Sequence, residues 1–124
     1  MLVIREEQMR VFEEIQLQRW LTDYLQSCYP VHAAELGSYE LRELVTIAAK
    51  RARARGLKGA SEIRKYLHVT FLLGREFETD DRTMWARRIL DDEEQSDPAE
   101  RVCALEEAVL EHLEADGAKT RGAT

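Results

Sequence analysis

Two cysteines, two prolines and six glycines are few for 124 residues, and no run of apolar residues is long. The scarcity of proline and glycine argues against a fold of short strands and tight turns and favours long helices. Two cysteines are too few for a disulfide framework. Cys28 and Cys103 fall on helical apolar positions, where two buried thiols are expected. Apolar stretches such as Val69 to Leu73, which contains Thr70, are far too short to cross a bilayer. The opening MLVIREEQMR lacks the apolar core of an export signal, so a cytoplasmic protein is expected, with no membrane association.

Charge, by contrast, is plentiful. Charged residues make up 34% of the chain and hydrophobic ones 44%, a balance that suits helices with one buried stripe and a charged outer face. The formal net charge of −6 hides an uneven distribution. Residues 50–65 carry seven basic side chains and one acidic, whereas residues 91–116 carry eleven acidic and one basic. These two segments of opposite sign are the most unusual feature of the composition.

The pattern predicts helices throughout. A first helix from about Arg5 to Cys28 carries Met9, Phe12, Trp20, Leu21, Tyr24, Leu25 and Cys28 at helical spacing. Pro30 ends it, and a short turn from Val31 to Leu36 follows, stopped by Gly37. Ser38 is the expected N-cap of a helix from about Tyr39 to Arg55, with a stripe of Leu41, Leu44, Val45, Ala48 and Ala52. Its acids lie early and its bases late, which complements the helix dipole, and Gly56 is placed to close it.

Ser61 opens the next predicted helix, which reaches Gly74 and is apolar on nearly every side from Tyr66 onward. A polar turn, REFETDD, leads to a shorter helix capped by Asp80 or Asp81 and containing Met84, Trp85, Ile89 and Leu90. A solvated linker, DDEEQSD, precedes the last helix. There Asp97 is the N-cap, Pro98 the first helical residue, and Glu100 lies three residues past the cap. Val102, Leu105, Val109 and Leu113 form its apolar stripe. Glu100, Glu107, Glu111 and Glu114 fall within about 60° on the far side, at about 100° per residue. Gly117 should end this helix. The expected architecture is therefore all-α: a single compact bundle of about five helices over residues 1–116, with a central apolar helix, an acidic C-terminal helix and a flexible tail at 117–124.

Chemistry is harder to find. His32 with Glu35, and Glu111 with Glu114 around His112, share helical faces, but single pairs of this kind are common and His68 stands alone. Surface or internally satisfied histidines are expected, and no metal. Glu76, Glu78 and Asp80 alternate like the start of a calcium loop, yet Asp81 stands where that loop needs glycine and Arg87 where it needs an acid. Gly56 to Gly59 lacks the strand and the hydroxyl of a phosphate loop. Neither cysteine neighbours a histidine in sequence. A non-enzyme without cofactor is expected.

Two binding surfaces remain as candidates. One is the acidic face at Glu107, Glu111 and Glu114, suited to a basic protein partner. The other is the basic segment, where Lys50, Arg53 and Arg55 could contact a protein. The stretch AAKRARARGLKGASEIRK also sets two helices around a short turn, loosely as in a helix-turn-helix, which leaves nucleic-acid binding through residues 50–65 as the alternative. The acidity of the molecule and the lack of interleaved aromatics weigh against it. The bland readings, a solvated helix face and a dipole-complementing helix end, stay open for both segments.

Several stretches resemble a family of small helical bacterial proteins encoded in type VI secretion gene clusters. They are VIREEQMRVFE at the start, LGSYELRELV in the middle, and the block from Ile63 to Leu90. In that block a helix leads into a Gly-x-Glu-Phe-x-x-Asp turn and a Trp-Ala helix, here Gly74, Glu76, Phe77, Asp80, Trp85 and Ala86. Phe77 is expected to anchor the turn in the core, Asp80 to cap the next helix and Trp85 to pack beneath it. The resemblance implies an accessory protein, an immunity protein or an adaptor, that binds a toxin effector or spike component. The acidic C-terminal helix lies outside the resembling part.

Overall fold

The last helix begins as its sequence dictates. The Asp97 side chain accepts the Ala99 N–H at 3.0 Å, and the Asp97 carbonyl accepts the Arg101 N–H at 3.1 Å. Pro98, which has no N–H to satisfy, takes the first helical position. The computed structural model describes the backbone of residues 6–122, with side chains from residue 10 to residue 115 apart from Phe12. Within that range the protein is all-α. The helices are α1 (Glu6–Cys28), α2 (Pro30–Leu36), α3 (Ser38–Ala54), α4 (Ala60–Leu73), α5 (Met84–Leu90) and α6 (Pro98–Gly122), with a 3-10 turn at Asp81–Thr83 before α5.

That is six helices where about five were expected, because the segment after Pro30 is a helix and not a turn. Pro30 presets the helical φ at the first position, and the Tyr29 carbonyl accepts the Ala33 N–H at 2.9 Å. Two predicted helix starts also move, one of them the N-cap at Ser38. The Gly37 carbonyl accepts the Leu41 N–H at 3.0 Å, so Ser38 is already helical. Likewise α4 starts at Ala60 with Gly59 as its cap, inside which Ser61 lies. The Glu62 carboxylate folds back over Gly59, where a β-carbon would displace only the end of that flexible side chain.

Backbone packing divides the chain into two compact units, residues 1–47 and 48–124. In the first, Leu21, Leu25, Ala33, Leu41, Leu44 and Val45 are buried. Gln18 on α1 accepts from the Thr46 hydroxyl on α3 at 3.4 Å. Trp20 is 45% exposed and Cys28, at the end of α1, is exposed, contrary to the predicted stripe. The apolar arc of α1 is wider than its buried face, and among its described side chains only those at 21 and 25 are covered completely. Arg5 lies outside the described residues, and the side chains of Met9 and Phe12 are not described.

In the second unit α4 packs on α6, and α5 packs on α6. Ile63, Tyr66, Leu67 and Val69 of α4 and Val102, Leu105 and Val109 of α6 are buried, as the apolar patterns of both helices anticipate. Each such side chain contributes about 1.5–3 kcal/mol. Leu113 is 41% exposed and does not continue the stripe, because every described residue of α6 from Leu110 to Ala115 is exposed. Cys103 is half-buried at the edge of the stripe, so neither thiol is a core residue. Nor does Gly117 stop the helix, which continues to Gly122. A glycine costs a helix about 1 kcal/mol, which by itself does not force a break.

Between the helices, Gly56 (φ +87°) closes α3 in a paired arrangement: its own N–H bonds the Arg53 carbonyl and the Leu57 N–H bonds the Ala52 carbonyl, each at 3.0 Å. Leu57 is buried beside it. The polar turn after α4 is anchored by Phe77, 1% exposed, whose ring lies 5.5 Å from that of Tyr66. Asp80 caps the 3-10 turn by accepting the Arg82 N–H at 2.9 Å. The half-buried Trp85 ring stacks on His112 of α6 at 4.2 Å.

Candidate functional site

The basic segment and the turn after α4 meet in one polar cluster. Arg55, the last residue before Gly56, directs its guanidinium at two carboxylates. Its Nε donates to Glu78 Oε1 at 2.8 Å, its Nη2 donates to the same oxygen, and its Nη1 donates to Asp91 Oδ1 at 3.0 Å. The other Glu78 oxygen accepts from the Tyr66 hydroxyl. Arg87 donates to Asp91 Oδ2 at 3.3 Å. Beside this cluster Arg51 donates to the Arg75 carbonyl and pairs with Glu76 at 3.6 Å. An open groove of about 370 Å3 runs over these residues, lined also by Ala54 and Thr79.

The electrostatics hold this cluster in one protonation state. Burial opposes the Arg55 cation, but its bonds to Glu78 and Asp91 outweigh that and raise its pKa above the ordinary value. Burial likewise pushes Glu78 up, yet the bonds from Arg55 and Tyr66 prevail and keep it below the usual carboxylate range. Tyr66 is pushed above the ordinary phenol value by burial and by Glu78. Asp91 is lowered by its bond from Arg55. A general acid or base needs a pKa near the working pH. All four groups are moved away from neutrality, in the direction that strengthens the cluster as a cross-link of the fold.

A second cluster joins the same unit. Glu106 of α6 accepts from Arg64 Nη1 at 3.4 Å and lies 2.8 Å from His68 Nδ1. A carboxylate only accepts, so Nδ1 carries the proton. His68 is buried and internally satisfied, as a lone histidine on an apolar helix should be. Arg51, Arg55 and Arg64 of the basic segment are thus all paired to acids of the same unit.

The predicted site residues thus separate. Lys50 and Arg53 are exposed on α3, whereas Arg55 is withdrawn into the polar cluster. Glu107, Glu111 and Glu114 are exposed on α6, and no hydrogen bond or ion pair with another described residue engages them. Leu110, 41% exposed, flanks them, whereas Leu113, also 41% exposed, lies on the opposite, stripe side of the helix. Among the described residues no group of three or more histidine, cysteine or acidic side chains is placed to hold a metal, and no helix is long and apolar enough to cross a membrane.

Sequence reasoning missed Glu78, Asp91 and Glu106 as partners. One signal was available for each cluster: a tyrosine and a histidine on an otherwise apolar helix each require a hydrogen-bonding partner. Nothing in the spacing says which acid supplies it. Compared with family models, with curated proteins and with solved structures, the chain shows no significant match.

Proposed function

We propose that the protein is a non-enzymatic, cytoplasmic protein-binding accessory of a type VI secretion cluster, which engages a basic surface of a toxin effector or spike component through the exposed face of α6. The observation that carries this reading is that face itself, three exposed carboxylates on one side of the helix with the exposed Leu110 flanking them. Carboxylates steer a basic partner and set specificity, while Leu110 beside them supplies apolar area that a purely solvated face does not need. The secretion context rests on the resemblance at Gly74, Glu76, Phe77, Asp80, Trp85 and Ala86. Nucleic-acid binding through residues 50–65 is the weaker reading, since Arg51, Arg55 and Arg64 are already neutralised by Glu76, Glu78 and Glu106.

The test is to reverse Glu107, Glu111 and Glu114 to lysine and measure association with the proteins encoded beside it. Slower association with an unchanged circular dichroism spectrum supports the proposal, and an unchanged association rate removes α6 from the interface. Immunity and adaptor roles then part by phenotype. An immunity protein protects cells that express the toxin without any secretion apparatus, whereas an adaptor is needed for delivery and gives no such protection.

A further inference from the structure

A helix is covered only along the length of its neighbours. At about 1.5 Å per residue the 25 residues of α6 span about 37 Å, whereas the 14 of α4 span about 21 Å and the 7 of α5 about 10 Å. Both shorter helices pack on α6, and its buried stripe runs through Val102, Leu105 and Val109. From Leu110 to Ala115 every side chain is exposed. The apolar spacing nevertheless continues. Leu113 stands four residues after Val109, in line with the stripe, and Leu110 lies about 60° further round the helix. Two leucines therefore stay accessible where the stripe outruns its partners.

The two borders of this leucine pair differ in charge. Glu107, Leu110 and Glu114 follow one another at spacings of three and four, so both exposed carboxylates share a face with Leu110. On the far side of the stripe, His112 is already stacked on the Trp85 ring of α5. One turn before Leu110, Glu106 is engaged by Arg64 and His68 of α4. The exposed negative charge thus lies along one edge of the pair. A second copy of this chain laid along α6 would set Glu107, Glu111 and Glu114 against their own kind, and an anionic lipid surface would be repelled by them. An apolar row at spacings of three and four is complementary to a matching row on another helix. We propose, resting on the α6 reading above, that α6 beyond Val109 receives an amphipathic helix of the partner protein. Its apolar stripe seats on Leu110 and Leu113, and lysine or arginine runs along the edge that meets Glu107 and Glu114. The partner helix thus takes up the helix-on-helix packing of α6 where α4 and α5 leave off.

The probe is a fluorescent helical peptide with a leucine stripe bordered by lysines, followed by anisotropy and by amide chemical shifts in the full chain. A control peptide of the same composition has its leucines scattered around the helix. The striped peptide should shift the amides of residues 107–114 and bind roughly tenfold more tightly than the control. The double change Leu110→Ser, Leu113→Ser should weaken it by roughly tenfold with an unchanged circular dichroism spectrum. Should that variant perturb α6, the comparison of the two peptides on the unaltered chain decides. No binding, equal binding of the control, shifts centred away from α6, or a dimer that buries both leucines would overturn the proposal. Binding that falls when Glu107, Glu111 and Glu114 are reversed to lysine but ignores the leucine change overturns it too, while the α6 reading stands. Binding indifferent to both changes removes α6 from the interface altogether.

Discussion

Arg55 offers the sharpest test, because a partner-binding arginine and a structural one behave oppositely when replaced. Its side chain is 23% exposed and that of Glu78 is 22%, so water competes only partly for their bonds. An exposed pair contributes about 0–1 kcal/mol, and removing one member of a fully buried pair costs about 3–5 kcal/mol. With roughly a fifth of each side chain exposed, Arg55→Met should cost about 2–4 kcal/mol, near the buried end of that range. Methionine keeps the packing of the stem and removes only the charge and its three bonds. For a chain of this size the loss corresponds to a fall in Tm of about 10 °C. Lys50→Ala, on the same helix but exposed, should stay within about 0.5 kcal/mol. Urea denaturation monitored by circular dichroism measures both, and a double-mutant cycle with Glu78→Gln isolates the pair, with a coupling of at least about 1 kcal/mol expected. If Arg55→Met is as mild as Lys50→Ala and the coupling is near zero, the guanidinium does not hold the turn after α4 and the cluster assignment is wrong.

Three further outcomes follow from the same geometry. Phe77→Ala should cost about 3–5 kcal/mol, since it empties a fully buried aromatic site under a polar turn, and denaturant titration reads it directly. Stability should fall at both ends of the pH scale. Glu78 and Asp91 are lowered from 4.5 and 3.8, so their contribution is present above those values and is lost as pH drops through the folded ones. Tyr66 is raised from 10.0, so its contribution is present below that value and is lost as pH rises, a loss that Tyr66→Phe should remove from the alkaline limb of a pH–stability curve. Gly56→Ala should cost about 1–2 kcal/mol from its positive φ alone, because a β-carbon there meets nothing closer than Pro98 Cγ at 3.6 Å. A thermal melt that leaves this variant unchanged would contradict the left-handed closure of α3.

Helical class, the Asp97 cap, the Gly56 closure and the buried stripes of α3, α4 and α6 were legible because each depends on residues within one turn of one another. What the pattern could not show is where a helix outruns its neighbours. Val109 and Leu113 have the same sequence signature, but the first is buried and the second exposed, because coverage of α6 ends between them. Helix starts were misplaced at Ser38 and Ser61 for a related reason. Serine is the better cap in isolation, yet the adjacent Gly37 and Gly59 take the position where the chain must turn. Of the candidate site, the acidic face was legible as a face. Arg55 was not, since its partners lie 23 and 36 positions away and no local rule connects them.

The pairing of the basic segment changes what its charge means. Read along the chain, residues 50–65 present a cation-rich strip as conspicuous as the acidic one. In three dimensions Arg51, Arg55 and Arg64 meet Glu76, Glu78, Asp91 and Glu106, so much of that positive charge is cancelled within the unit that contains it. The acidic segment contributes only Asp91 and Glu106 to that exchange. Its other described acids remain exposed, and Glu107, Glu111 and Glu114 keep their charge directed at solvent. Like charges held within about one turn of a helix repel by a few tenths of a kcal/mol per pair. Neutralising these three glutamates as glutamines should therefore raise thermal stability slightly while slowing capture by a basic partner. A face that only solvates the helix predicts no change in capture, so the two effects measured on one variant separate a docking surface from an inert one.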